Sequence, residues 1–206
     1  MSKVRLRANE LAAVSGTTFT RWGHRSCPQK SMLIYSGRAA GTYSGHKYGG
    51  SATYICLPDD PEYHPTNTQQ PTHAWMSEIA GVEYDGVTVN ARFDNFNNVP
   101  CSVCNTESRT ALLMSPAKLR CPDSSWTLEY RGFLMTASSQ PPDTSTRGRT
   151  EYVCVDESTG VIPGMGDNQN GALLTKTYVK CTGPGTIGYC PPYDAKKTIA
   201  CTVCTK

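Results

Sequence analysis

Ten cysteines punctuate the 206-residue chain, and eight of them form two sets with the same order and nearly the same spacing. The stretch CPQKSMLIYSG from Cys27 is answered by CPDSSWTLEYRG from Cys121, and SATYICLPD around Cys56 by RTEYVCVD around Cys154. VPCSVCN, with Cys101 and Cys104, is answered at the chain end by IACTVCT, with Cys201 and Cys204. Tyr35, Gly37 and Tyr54 match Tyr130, Gly132 and Tyr152 in the same phase. The offset between copies grows from 94 at Cys27/Cys121 to 100 at Cys104/Cys204, the drift that small loop insertions produce. The chain therefore reads as two tandem homologous β units in a pseudo-two-fold arrangement, packed as one compact body. An N-terminal extension occupies residues 1–16, the first β repeat 17–108 and the second 109–206.

Within each unit the local pattern is that of strands. MLIYSG and TLEYRG alternate around a tyrosine and stop at glycine, as a half-buried strand does before a turn. ATYICL and TEYVCV behave the same way, with Tyr and Cys on one face. VEYDGVTVNARF predicts a hairpin with Asp85-Gly86 in a type I′ turn, and QNGALLTKTYVKC is its counterpart in the second unit. Trp126, inside SSWTLEY, reads as a core residue, while Trp22 and Trp75 are open between core and ligand stacking. No stretch holds a helical apolar period over three turns, so the expected class is mainly β and disulfide-rich.

A CxxC pair has three chemical meanings. Zinc needs four converging ligands, yet the two pairs stand 100 residues apart, and His24, His46, His64 and His73 show no ligand spacing. A redox pair opens a helix whose N-terminus lowers a thiol pKa, and CTVCTK ends the sequence. Disulfides account for every cysteine: two bridges per unit, plus Cys181–Cys190 around a Gly-Pro-Gly loop found only in the second unit. Residues three apart on a strand face opposite ways, so the two cysteines of each CxxC should reach different partners. Sequence leaves both pairings open; the one carried forward is 27–104 with 56–101, and 121–204 with 154–201.

Ten paired cysteines point to an oxidising compartment and so to a secreted, extracellular protein. The opening segment MSKVRLRANELAAVSG lacks an apolar run of signal-peptide length, so export is expected either after removal of a leader or by another route. No apolar run approaches the ~20 residues of a transmembrane helix, so membrane insertion is not expected. The net charge is only +3, with both signs mixed along the chain, which argues against nucleic acid as a partner. No Gly-rich stretch opens a helix as a phosphate loop would, and no serine sits in G-x-S-x-G. The run PDDPE, with Asp59, Asp60 and Glu62, has the flanking prolines of an exposed turn and lacks the alternating ligands of a calcium loop. No enzyme activity, cofactor or metal is expected.

TRWGHRSCP, YSGRAAG, ATYICLPDDPEY, VPCSVC, WTLEYRGFLM, GRTEYVCVDE, NQNGALL, CPPY and CTVCTK together resemble one group of invertebrate proteins. It is the cysteine-rich globular domain of sponge short-chain (spongin-type) collagens, which also occurs alone in marine invertebrates. The resemblance spans residue 17 to the end. It implies a secreted module, and some stand-alone proteins of this kind are galactose-binding lectins that agglutinate cells. This chain has no Gly-X-Y stretch, which sets aside the fibre role and leaves the lectin-like one.

A galactose site calls for carboxylate or amide groups facing vicinal hydroxyls, a cationic donor and an aromatic face, all on loops held by a rigid scaffold. Three loop clusters offer them. GHKYGGS and TRGRTE carry His46, Tyr48, Arg147, Arg149 and Glu151; GDNQNG carries Asp167, Asn168 and Asn170; RFDNFNN carries Asp94, Asn95, Phe96 and Asn97. Each could equally be a turn rich in Asn, Asp and Gly for conformational reasons. The expected function is multivalent, non-catalytic binding of glycans with terminal galactose-type sugars, by a homo-oligomer or by the duplication itself. The alternative is a structural extracellular-matrix module that assembles with itself and binds no sugar.

Overall fold

The computed structural model describes residues 15–43, 50–63, 78–85, 97–137, 150–162, 171–183, 190–195 and 197–206, and all regular structure within them is strand. The first five strands are β1 Thr18–Trp22, β2 Met32–Gly41, β3 Ile55–Pro58, β4 Ala80–Tyr84 and β5 Pro100–Asn105. The second five are β6 Leu112–Pro116, β7 Thr127–Thr136, β8 Val153–Asp156, β9 Ala172–Lys176 and β10 Ala200–Thr205. Among the described residues no helix is long and apolar enough to cross a membrane.

The pairing scheme of β1–β5 recurs in β6–β10, residue for residue. β5 lies between β1 and β2, with Phe19 opposite Cys104 and Gly37 opposite Cys101; β10 lies between β6 and β7, with Leu113 opposite Cys204 and Gly132 opposite Cys201. Each scheme carries a register shift at the same place, skipping Ile34 in β2 and Glu129 in β7. β3 and β8 then pair with the far ends of β2 and β7, with Ala39 opposite Cys56 and Leu134 opposite Cys154.

The repeated tyrosine-x-glycine is explained by this crossing. A Cβ on Gly37 would sit 1.7 Å from the Leu57 carbonyl oxygen, and one on Gly132 would sit 1.8 Å from that of Val155. Only glycine lets the two backbones approach so closely.

The bridges follow the alternation of the CxxC strands. Cys27–Cys104, Cys56–Cys101, Cys121–Cys204 and Cys154–Cys201 form, with Cα–Cα distances of 5.8, 5.8, 5.9 and 5.7 Å, and Cys181–Cys190 is the fifth. The pairing carried forward from the sequence is thus the one formed. No free cysteine remains for a metal or a redox cycle. Cys101 points into one buried cluster with Trp22, Val82, Tyr84 and Met135, and Cys104 into the other with Phe19, Tyr130 and Val203. One CxxC therefore spikes both cores.

Two parallel contacts join the five-strand sets: Trp22 of β1 opposite Val155 of β8, and Val82–Tyr84 of β4 beside Ala172–Leu174 of β9. The pairings close a circuit, β1–β5–β2–β4–β9–β7–β8 and back to β1, around Trp22, Tyr84, Met135, Val155 and Leu174. Buried polar groups cross-link the same junctions. Arg21 donates to Asp156 through Nε at 2.8 Å and Nη2 at 2.7 Å, and Asp156 also accepts from the Ser158 amide and hydroxyl. The Glu129 carboxylate, turned inward by the bulge, accepts from Arg109 Nη2 at 3.0 Å, Ser31 Oγ at 2.8 Å and Thr205 Oγ1 at 2.5 Å.

Three expectations need correction. β2 and β7 do not stop at Gly37 and Gly132 but run on to Gly41 and Thr136, because both glycines lie under the crossing backbones of β3 and β8. The strand partner expected directly after Asp85-Gly86 is replaced by 97–99: Tyr84 donates to the Asn97 carbonyl, Val99 donates to Val82, and Glu83 bridges Asn98, while Gly86 itself lies outside the described residues. The fully buried cross-strand pair Val82 and Val99 holds that pairing in register. Trp126 is not inside a strand; it is half-buried in the turn before β7, its amide donating to the Asp123 carbonyl.

Candidate functional site

The ends of β2, β3 and β4 enclose a cleft of about 580 Å³. β2 contributes Arg38 to its rim, because Arg38 stands opposite Leu57 one residue beyond the glycine crossing. Tyr43 follows the end of β2, and Tyr63 follows the turn after β3; Tyr63 is 83% exposed and offers a ring face at the mouth. Leu57, Pro58 and Ile79 make the apolar wall.

The floor is polar. Glu83 lies in β4, which is covered on both sides, so its carboxylate is buried; Oε1 accepts from the Gly171 amide at 3.4 Å. Asn98, its bridge partner, lines the cleft beside it. At the rim, Arg38 Nε stands 3.4 Å from Asp59 Oδ1, and Arg25 pairs with the other oxygen of the same carboxylate. Two guanidinium groups share one carboxylate, which steadies the Arg38 side chain at the rim. The described lining contains a single carboxylate and no Ser, Thr, Cys or His.

Of the sequence-derived binding residues, Glu151 and Asn97 are described. Glu151 Oε1 accepts from the Tyr54 amide at 2.8 Å, and its own amide donates to the Ala52 carbonyl at 2.8 Å. It fastens the segment before β3 to the segment before β8. It also edges a second cleft, of about 420 Å³, with Trp22, Tyr54, Tyr130 and Tyr152. His46, Tyr48, Asp94, Asn95, Phe96, Arg147, Arg149, Asp167, Asn168 and Asn170 lie outside the described residues, as does Trp75. Asn97 holds the Tyr84 amide through its carbonyl. Trp22 is core, edge-on to Tyr54 with ring centres 6.4 Å apart.

The buried hydroxyls are structural. Burial pushes the Tyr54 phenol up to about 12, where it contacts the Thr150 hydroxyl and donates to the Leu173 carbonyl. Burial likewise raises Tyr84, paired with Thr159, and Tyr130, whose hydroxyl donates to the Thr20 and Cys154 carbonyls. His24 titrates below its ordinary value because of burial and then the nearby Arg21; its ring contacts Ser158. Among the described residues no group of three or more His, Cys, Asp or Glu could hold a metal.

Sequence reading missed Arg38, Tyr43, Tyr63, Glu83 and Asn98 because they converge from four separate segments. One signal was legible: Glu83 is a charged residue in a strand whose neighbours Val82 and Tyr84 are both fully buried. A charge placed there needs partners. No protein-family model matches the chain.

Proposed function

We propose that the protein is an extracellular, non-catalytic carbohydrate-binding module with galactose-type specificity, and that the cleft between β2, β3 and β4 is its binding site. The single observation that carries this reading is the combination of an exposed aromatic face with a polar floor in one cleft. Tyr63 and Tyr43 suit the apolar face of a pyranose. Glu83 and Asn98 suit vicinal hydroxyls, and Arg38 an axial hydroxyl or ring oxygen. A lining with one carboxylate and no nucleophile favours binding over turnover. The five disulfides are consistent with an extracellular protein. The matching registers of β1–β5 and β6–β10 support common descent of the two units.

Among the described residues the second unit does not repeat the cleft lining, since Phe133 occupies the position of Arg38 and Asp156 that of Pro58. Cross-linking of cells then requires more than one chain. Calorimetric titration with lactose and glucose tests the reading. Lactose should bind and glucose should not; Tyr63→Ala and Glu83→Gln should each weaken lactose at least about tenfold. Absence of any glycan ligand on an array, or unchanged affinity in both variants, removes it. The rival reading, a matrix module that self-assembles without sugar, draws on the open strand edges described next; stable oligomers that bind no glycan select it.

A further inference from the structure

Eight of the strands form a row, β6–β10–β7–β8–β1–β5–β2–β3, with β6 at one end and β3 at the other. The junction in the middle of that row shows how the two units recognise each other. β1 lies along the outer edge of β8, and beneath the seam the Tyr130 hydroxyl donates to Cys154 of β8 at 3.0 Å and Thr20 of β1 at 3.1 Å.

By register, β3 is the counterpart of β8, β6 of β1, and Tyr35 of Tyr130. The two counterpart edges remain open among the described residues, since β3 pairs only with β2 and β6 only with β10. Their side chains have the character of a junction without its cover. Val153 and Val155 in β8 are 6% and 0% exposed, whereas Ile55 and Leu57 in the same places on β3 are 42% and 38% exposed. Tyr35 is only half-buried, and its hydroxyl donates to Cys56 of β3 at 3.2 Å, the bond equivalent to Tyr130–Cys154. On β6, Leu112 is exposed, and Met114 stands where β1 has Thr20.

We propose that a second copy of this chain lays its β6 along the β3 edge, repeating between molecules the contact that β1 and β8 make within one. By that register Met114 and Pro116 of the arriving strand stand beside Ile55 and Leu57, Leu112 lies diagonal to Ile55, and the Met114 carbonyl takes the second acceptor place at the Tyr35 hydroxyl. Pro116 replaces Trp22 at the end of the strand, so this seam has one backbone donor fewer than the internal one. The two surfaces are different, so the contact is heterologous, and repetition gives a closed ring or an open row rather than a two-fold dimer. Apolar strand edges left open would otherwise be an aggregation hazard. Leu57 also walls the proposed sugar cleft, but Ile55, Tyr35 and Leu112 lie outside it, so substitutions at Ile55 and Leu112 test the seam apart from the glycan reading.

Sedimentation of the full, oxidised chain and of two edge variants tests it. The wild type should assemble beyond the 22.4 kDa monomer, and Ile55→Asp or Leu112→Asp should each return it to the monomer with an unchanged circular dichroism spectrum. An equimolar mixture of the two variants should form a species of two chains and stop there, because one intact β3 edge and one intact β6 edge remain. A wild type that stays monomeric to about 100 μM, assembly that survives either substitution, or a mixture that stays monomeric overturns the proposal. Since both substituted side chains are exposed, Ile55→Thr and Leu112→Thr serve as milder variants if either aspartate unfolds the chain; they should shift assembly to higher concentration.

Discussion

Removing one hydroxyl from each of two matched tyrosines should have very different effects. Tyr130 is buried, and its hydroxyl serves two backbone carbonyls, Cys154 at 3.0 Å and Thr20 at 3.1 Å. Tyr130→Phe leaves both acceptors short of a donor at the seam between the units, where water has little access. A buried acceptor without its donor costs about 1–3 kcal/mol, and a middle value of about 2 applies here because one proton is shared between two oxygens. For a chain of this length that corresponds to a fall in Tm of about 4–8 °C. Tyr35 sits at the equivalent place in an open edge, with one bond of 3.2 Å to Cys56 that water can replace. Tyr35→Phe should therefore stay within about 0.5 kcal/mol, a shift of under about 2 °C. Calorimetry on the oxidised protein, in an Ile55→Asp background that suppresses assembly, reads the fold alone. Equal losses in the two variants, or no loss in Tyr130→Phe, would refute the claim that the two seams differ only in being covered.

Three further outcomes follow from the buried groups. Burial and Arg21 hold His24 below 6.5, so its contribution is complete above pH 6.5 and is lost as the pH falls toward its folded-state value; urea midpoints should drop between pH 7 and 5, and His24→Gln should flatten that slope. Glu129→Gln removes the charge facing Arg109 in a buried network and should cost about 3 kcal/mol, the low end for such pairs because Arg109 keeps some water contact; the urea midpoint should fall with an unchanged slope. Replacing Cys181 and Cys190 by serine opens a loop of 9 residues and should cost about 2.6 kcal/mol by loop entropy, against about 4.5 for Cys27 and Cys104, whose separation is 77; chemical denaturation of the two double variants should rank them in that order.

What the sequence by itself determined is local or nearly so. Period-two alternation places Cys101 and Cys104 on opposite faces, the Cys-Pro…Tyr-x-Gly order repeats, and from these the strand class and the bridges could be read. Gly37 and Gly132 read as strand ends in the sequence, and only the fold shows that they sit under a crossing carbonyl, where no other residue fits. The tertiary structure alone decided how the two five-strand sets meet. Whether β1 reaches β8, whether Arg21 finds Asp156 across 135 positions, and whether β4 pairs with 97–99 depend on packing between segments that share no local signal. The cleft is of the same kind: Arg38, Tyr63, Glu83 and Asn98 acquire a common purpose only after three strands and a bridge bring them together. Loops rich in Asn and Asp drew the sequence reading because turn chemistry and sugar chemistry use the same residues. A carboxylate buried in a strand is distinguished only by its neighbours, and those are set by the fold.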